Sequence, residues 1–202
     1  YDGKKIAIWY SANGSEVSTI KILDVDSKMF SSDVIYPTWS GVTSWAFDNQ
    51  AFTYYSLNTD DFNDIDFSKN VKAKYHKIGD DVKNDIDIFS TKSYPGLSDP
   101  AEEPFAVFDK NSKEYLFVNL WGTQPEWSTY YAKITPLNQK IDWKILCKPS
   151  DGIISDRVII NNDVYAICTK GAPKCKLICT NLLNPDWNKA DIIVAEKKDK
   201  SL

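Results

Sequence analysis

The sequence is short of the groups that carry most enzyme chemistry. It has one histidine, His76, in 202 residues. Any serine-type triad would need that ring as its base. It stands in AKYHKIG (73–79), and no G-x-S-x-G nucleophile elbow occurs anywhere in the chain. A structural or surface role is expected of it. No apolar run approaches the roughly 20 residues of a membrane-spanning helix, so no membrane partner is expected. Lysine and acidic residues are mixed along the whole length, with a net charge of −4. No basic stripe forms, which argues against nucleic acid as a partner. The chain opens on YDGKK, without a starting Met or a charged-then-apolar leader. It reads as a piece of something longer.

Cysteine is also sparse and confined to the last third: Cys147, Cys168, Cys175 and Cys179. The Cys175–Cys179 spacing suits a metal, but no second pair and no nearby histidine completes a site. Alternation in KCKLICTN (174–181) suggests a strand with Cys175, Leu177 and Cys179 on one face. Structural, reduced core thiols are the favoured reading, ahead of a disulfide and then a metal. The acidic runs DDFNDID (60–66) and DDVKNDID (80–87) lack the glycine and closing glutamate of an EF-hand loop. They read as solvated loops, and no metal or other cofactor is expected. Asn13-Gly14-Ser15 is a formal glycosylation sequon.

What the chain has is aromatic residues, 13 % of the total, which favours sheet. TSWAFDNQAFTYYS (43–56) pairs two aromatic-rich runs around Asp48-Asn49-Gln50, the pattern of a β-hairpin. Related stretches occur at 1–12, 104–119 and 156–170. Each is followed by a third β-like run (18–26, 73–80, 129–138, 175–182) and a fourth (32–36, 85–91, 143–149, 191–197). The four-strand unit recurs at roughly 46 to 62 residues, a period that points to β-propeller blades. The expected fold is all-β: a partial propeller of about four blades, near 1–38, 39–95, 102–149 and 152–198. The first blade would lack its first strand. No helix candidate competes, because the linkers at 59–70, 92–104 and 149–152 are built of Pro, Gly, Asp and Asn. Seven tryptophans (9, 39, 45, 121, 127, 143, 187) spread through the units. Packing between blades is their favoured role, ahead of a stacking face for sugars.

The order of motifs resembles the middle of the propeller of prolyl oligopeptidases, serine endopeptidases that cut short peptides after proline. The stretches that carry the resemblance are DGKKIAIWYSANGSEVSTIKILDV (2–25), TWSGVTSWAFDNQAFTYY (38–55), AKYHKIGDDVKNDIDIF (73–89) and DWNKADIIVAEKKD (186–199). The likeness runs over nearly all of the chain and is loosest at 102–135. Asp48-Asn49 stands where the family has Asp-Gly. The resemblance implies a non-catalytic propeller that gates access of short Pro-containing peptides to a serine active site. That site would lie in a C-terminal α/β-hydrolase domain of the same protein, absent from this sequence. It implies Trp39 as the residue nearest a bound substrate, because Trp39-Ser40-Gly41 matches the family's aromatic-Ser-Gly segment. Packing between blades is the competing role for that ring. The other functional class is a free-standing propeller that binds a sugar or a protein. Unpaired cysteines favour a cytoplasmic location, with the bacterial periplasm as the alternative, and uncovered blade edges would let the chain self-associate.

Overall fold

The computed structural model describes residues 2–93, 101–137, 140–154, 157–197 and 199. Most of the linker read at 92–104, and residues 198 and 200 of the Lys-rich tail, therefore lie outside the described residues.

Among the described residues fifteen strands form, all paired antiparallel. The first group has three: β1 (Lys5–Ser11), β2 (Ser18–Asp24) and β3 (Phe30–Thr38). The second has β4 (Ser44–Trp45), β5 (Ala51–Ser56), β6 (Lys72–Lys77) and β7 (Ile86–Ser90). The third has β8 (Glu103–Phe108), β9 (Tyr115–Trp121), β10 (Ser128–Lys133) and β11 (Lys144–Cys147). The fourth has β12 (Val158–Ile160), β13 (Asp163–Cys168), β14 (Lys176–Asn181) and β15 (Asp191–Val194). Helical structure among the described residues is limited to three three-residue 3-10 turns. The all-β, partial-propeller expectation holds. One difference is that the first two groups form a single seven-stranded sheet, joined where Thr38 at the end of β3 pairs with Ser56.

Burial explains which strands alternate and which do not. In β8 only every second residue (Pro104, Ala106, Phe108) is buried, the period of a strand with one covered face. The inner strands β5 and β9 are instead buried from Ala51 to Tyr55 and from Tyr115 to Leu120. A sheet stacked on both sides leaves no solvent face, so both sets of side chains are mostly apolar or aromatic, and the polar Thr53 and Asn119 are hydrogen-bonded. Each fully buried aromatic or aliphatic side chain contributes about 1.5–3 kcal/mol. The turns use residues that tolerate positive φ. Asn161 (φ 52°) and Asn162 (φ 71°) form the two-residue link between β12 and β13, where Ile160 pairs with Asp163.

The seams between groups differ in chemistry. Ile20, Ile22 and Ile35 of the first group pack on Phe52 and Tyr54 of the second. Between the second and third, Phe89 meets Tyr130 and Trp143 at centroid distances of 5.0 and 5.6 Å. The Trp143 indole N–H also donates to the Ile88 carbonyl at 3.2 Å. Hydroxyls replace strand pairing here: Thr53 donates to the Ala106 carbonyl at 2.6 Å and Thr43 to the same oxygen at 3.1 Å, while Ser44 accepts from Phe108 N–H at 3.0 Å. Between the third and fourth groups, Trp187 donates to the Leu146 carbonyl at 2.7 Å. Trp143 and Trp187 thus have the interblade packing role expected of tryptophan.

The cysteines divide. Cys147 and Cys168 are buried beside Ile153, Ala166 and Ile178, and burial pushes the Cys147 thiol up to about 11. Cys179 is half-buried on β14. Cys175 is not on that strand: it precedes β14 in a turn, at φ 69°. Its alternation with Leu177 and Cys179 is a coincidence of spacing across the turn–strand boundary.

Candidate functional site

Trp39 follows the last residue of β3. Two hydrogen bonds hold the chain there: Ser18 Oγ donates to the Thr38 carbonyl and Thr38 Oγ1 to the Ser18 carbonyl, 3.1 Å each. The Trp39 ring is half-buried and lies 5.6 Å from Phe62 and 5.5 Å from Phe67, ring centroid to centroid. Phe62 and Phe67 stack on each other at 4.4 Å. Beneath them lie Val17, Tyr55, Leu57 and Val71. Gly41, two residues on, lets the chain pass against Trp9, since a Cβ there would sit 2.4 Å from the indole carbons. The ring proposed to meet substrate therefore also packs where the first two groups meet.

The aromatic surface continues onto the third group. Tyr55 stands edge-on to Phe105 at 5.1 Å, and Phe105 edge-on to Trp121 at 6.2 Å. Phe105, Asn119, Leu120, Trp121 and Trp127 line an open hollow of about 260 Å³. Trp121 is 60 % exposed on its rim. The register places these residues at one end of the sheets, since Glu103 pairs with Trp121 and Leu120 with Ser128. Below the rim, the Tyr55 hydroxyl is buried without a hydrogen-bond partner and the Glu103 carboxyl is half-buried. Burial pushes both groups upward from their ordinary values. Flat rings over a weakly acidic floor suit stacking on an apolar ring, and they supply no nucleophile–base pair.

Two other features are decided in space. His76 is fully buried, the structural one of its two expected roles, and both of its ring nitrogens face carboxylates: Nδ1 lies 2.7 Å from Asp85 Oδ1 and Nε2 lies 2.9 Å from Asp33 Oδ1. The run 80–87 is therefore not wholly a solvated loop. Asp81 caps a 3-10 turn and Asp87 pairs with Lys72 and Lys74, but the Asp85 side chain is 2 % exposed. Run 60–66 is exposed, with Asp61 and Asp64 accepting from backbone amides two residues on. Arg157, the sequence's single arginine, went unremarked in the sequence because nothing local marks it. It reaches from the start of the fourth group to Asn119 Oδ1 at 2.8 Å and lies 3.9 Å over the Phe117 ring.

Comparison with known proteins places these elements in context. Residues 1–202 match the model of the prolyl oligopeptidase N-terminal β-propeller domain. Among solved structures, one of two prolyl endopeptidases compared for the role of inter-domain dynamics superposes with a TM-score of 0.80 at 23 % identity. Prolyl oligopeptidase B from Galerina marginata gives 0.75 at 22 %, and oligopeptidase B from Leishmania major 0.71 at 17 %. The superpositions cover 98 %, 100 % and 98 % of this chain but only 28 %, 29 % and 25 % of those chains. The chain thus spans under a third of the length of the structures it resembles.

Proposed function

The chain belongs to the prolyl oligopeptidase family, as part of its N-terminal β-propeller, and from that premise we propose that it is the non-catalytic portion that gates short Pro-containing peptides toward a serine active site. That active site lies in a C-terminal α/β-hydrolase domain of the full protein, the chain's first partner. The match over residues 1–202 carries the reading. The engagement of His76 supports it: both ring nitrogens already face buried carboxylates, so no free lone pair remains to take a serine proton. A free-standing sugar- or protein-binding propeller drew its support from the aromatic count, and Trp143 and Trp187 are occupied at seams.

Within that reading, Trp39 contacts the substrate's apolar ring through its open face. The comparison to make is Trp39→Ala in the full-length enzyme. The expected outcome is a fall in kcat/KM on Pro-containing peptides at a temperature where the variant is fully folded, beside a lowered melting temperature from the lost contacts with Phe62 and Phe67. Lost stability with normal kinetics would assign the ring to packing alone. The gate itself is tested by size: short peptides should be cleaved and folded proteins spared, and a propeller-deleted enzyme that keeps the same discrimination would refute it. The 202-residue chain alone should hydrolyse nothing.

Self-association belongs to the same proposal. Ile6, Tyr10, Phe30 and Val34 of the first group and Ile160, Ile192 and Ile193 of the fourth are exposed, and apolar patches of this kind favour pairing of copies. Sedimentation across a concentration series should show association, and a strictly monomeric chain would contradict it. The four free thiols support a reducing cytoplasm over a periplasm, which fractionation of the source cell would test.

A further inference from the structure

The first and second groups share one backbone pair, Thr38 with Ser56. Five residues back along β3, roughly 16 Å away at the usual strand rise, Asp33 makes a second attachment. Its Oδ1 lies 2.9 Å from His76 Nε2 on β6 and accepts the Gly79 N–H at 2.6 Å. The other side of the imidazole meets Asp85 Oδ1 at 2.7 Å, and Asp85 Oδ2 accepts the Tyr54 hydroxyl at 2.7 Å. The three side chains are 0–2 % exposed. Tyr54 and Phe52 come from β5, and the Phe52 ring centroid is 5.2 Å from that of His76.

The proton count follows from the partners. A carboxylate has no proton to give, so each ring nitrogen facing one must donate. Asp33 Oδ1 already accepts from Gly79, which leaves it an acceptor toward His76 as well. A ring that lost one proton would set a lone pair against a buried anion. The charged and titratable groups around the ring are Asp33 from β3, Asp85 between the 3-10 turn and β7, and Tyr54 from β5, with Asp87 of β7 acting on Tyr54. Among the described residues no lysine pairs with Asp33 or Asp85, so the ring proton is the positive charge of the cluster. Asp33 Oδ2 is buried with no hydrogen-bond partner.

We propose that Asp33, His76 and Asp85 form a proton-controlled latch across the seam between the first two groups, closed by the imidazolium and released when His76 loses one ring proton. Release leaves the Asp33 carboxylate buried without its cation. The first group then opens on the Asp33 side, about the Thr38–Ser56 pair as hinge. Burial alone would lower the affinity of His76 for its proton. Hydrogen bonds to Asp85 and Asp33, and their charges, outweigh it and hold the ring protonated above the ordinary histidine range. A group raised in this way stabilises fully below its unfolded value of about 6.5, and that stability is lost as pH rises through the raised value.

Because His76 is the single histidine, ¹⁵N NMR of the labelled chain reads its ring without ambiguity. Expected at pH 7 are two protonated ring nitrogens, where an ordinary histidine is about 24 % protonated. As the ring titrates at higher pH, amide exchange in β3 and β6 should rise about tenfold more than in β9 and β13, which share the same base catalysis. Asp33→Asn should move the ring titration down by about one unit or more. If that variant fails to fold, Asp85→Asn and the ring titration of the unaltered chain still decide. A bare ring nitrogen in the folded chain at pH 7 would overturn the proposal. So would a titration that leaves exchange at the seam unchanged, or one that neither carboxamide variant shifts.

Discussion

The seam between the first and second groups and the seam between the second and third join similar sheets by different means. Both bury aliphatic and aromatic side chains. The first adds a charged cluster, Asp33–His76–Asp85, with Tyr54 on its flank. The second adds neutral donors to backbone carbonyls: Thr43 and Thr53 to Ala106, and Trp143 to Ile88. Neutral hydrogen bonds do not change with pH between 4 and 9, whereas an imidazolium between carboxylates does. One run of blades can therefore hold a pH-sensitive joint beside a pH-indifferent one, with no difference in fold.

The largest effect is expected from His76→Ala. Removing the cation from two buried carboxylates should cost about 3–5 kcal/mol. Urea unfolding should find that gap complete below the ordinary histidine value of about 6.5 and shrinking as pH rises through the raised folded value. A gap that stays constant from pH 5 to 9 would erase the contrast between the seams. Trp143→Phe should cost about 1–3 kcal/mol, because the Ile88 carbonyl loses its donor in a buried place. That loss should be the same at pH 5 and pH 9, and a strong pH dependence would show the second seam to be ionic as well. Thr53→Val should cost least, about 0.5–1.5 kcal/mol, since Thr43 still donates to the Ala106 carbonyl. The double variant with Thr43→Val should exceed the sum of the two single losses.

Acid exposes the other limb of the first seam. Burial alone would raise Asp33, but the hydrogen bonds that its Oδ1 accepts from His76 and Gly79 hold it below the ordinary carboxylate range. Its contribution is complete above its unfolded value and lost as pH falls through the folded one. The first seam is thus strongest between the ordinary aspartate and histidine values, about 4 to 6.5.

Much of the fold was legible in the chain because strand periodicity and turn chemistry are local. AFTYYS, EPFAVF and DVYAIC read as strands from their residue types, and Asp48-Asn49-Gln50 as a turn, where Asn49 takes a positive φ of 57°. The absence of a nucleophile elbow was equally plain. The His76 partners were not, for they stand 43 and 9 residues away in chain position. Asp85 looked like one more acid in DDVKNDID. Arg157 had no motif at all, and it acquires one only when Asn119 and Phe117 approach from another sheet.

By itself the sequence determined the class of the molecule: four-strand units, their order, and the family whose propeller they match. These follow from alternation, turn residues and motif order, which are written along the chain. The tertiary structure alone decided which tryptophans bind a neighbouring blade and which stand open, and that the one histidine is an ion-paired joint. Those outcomes depend on which side chains meet across a seam. Desolvation and pairing, set by neighbours distant in sequence, choose whether a given Asp, His or Trp is surface, scaffold or site.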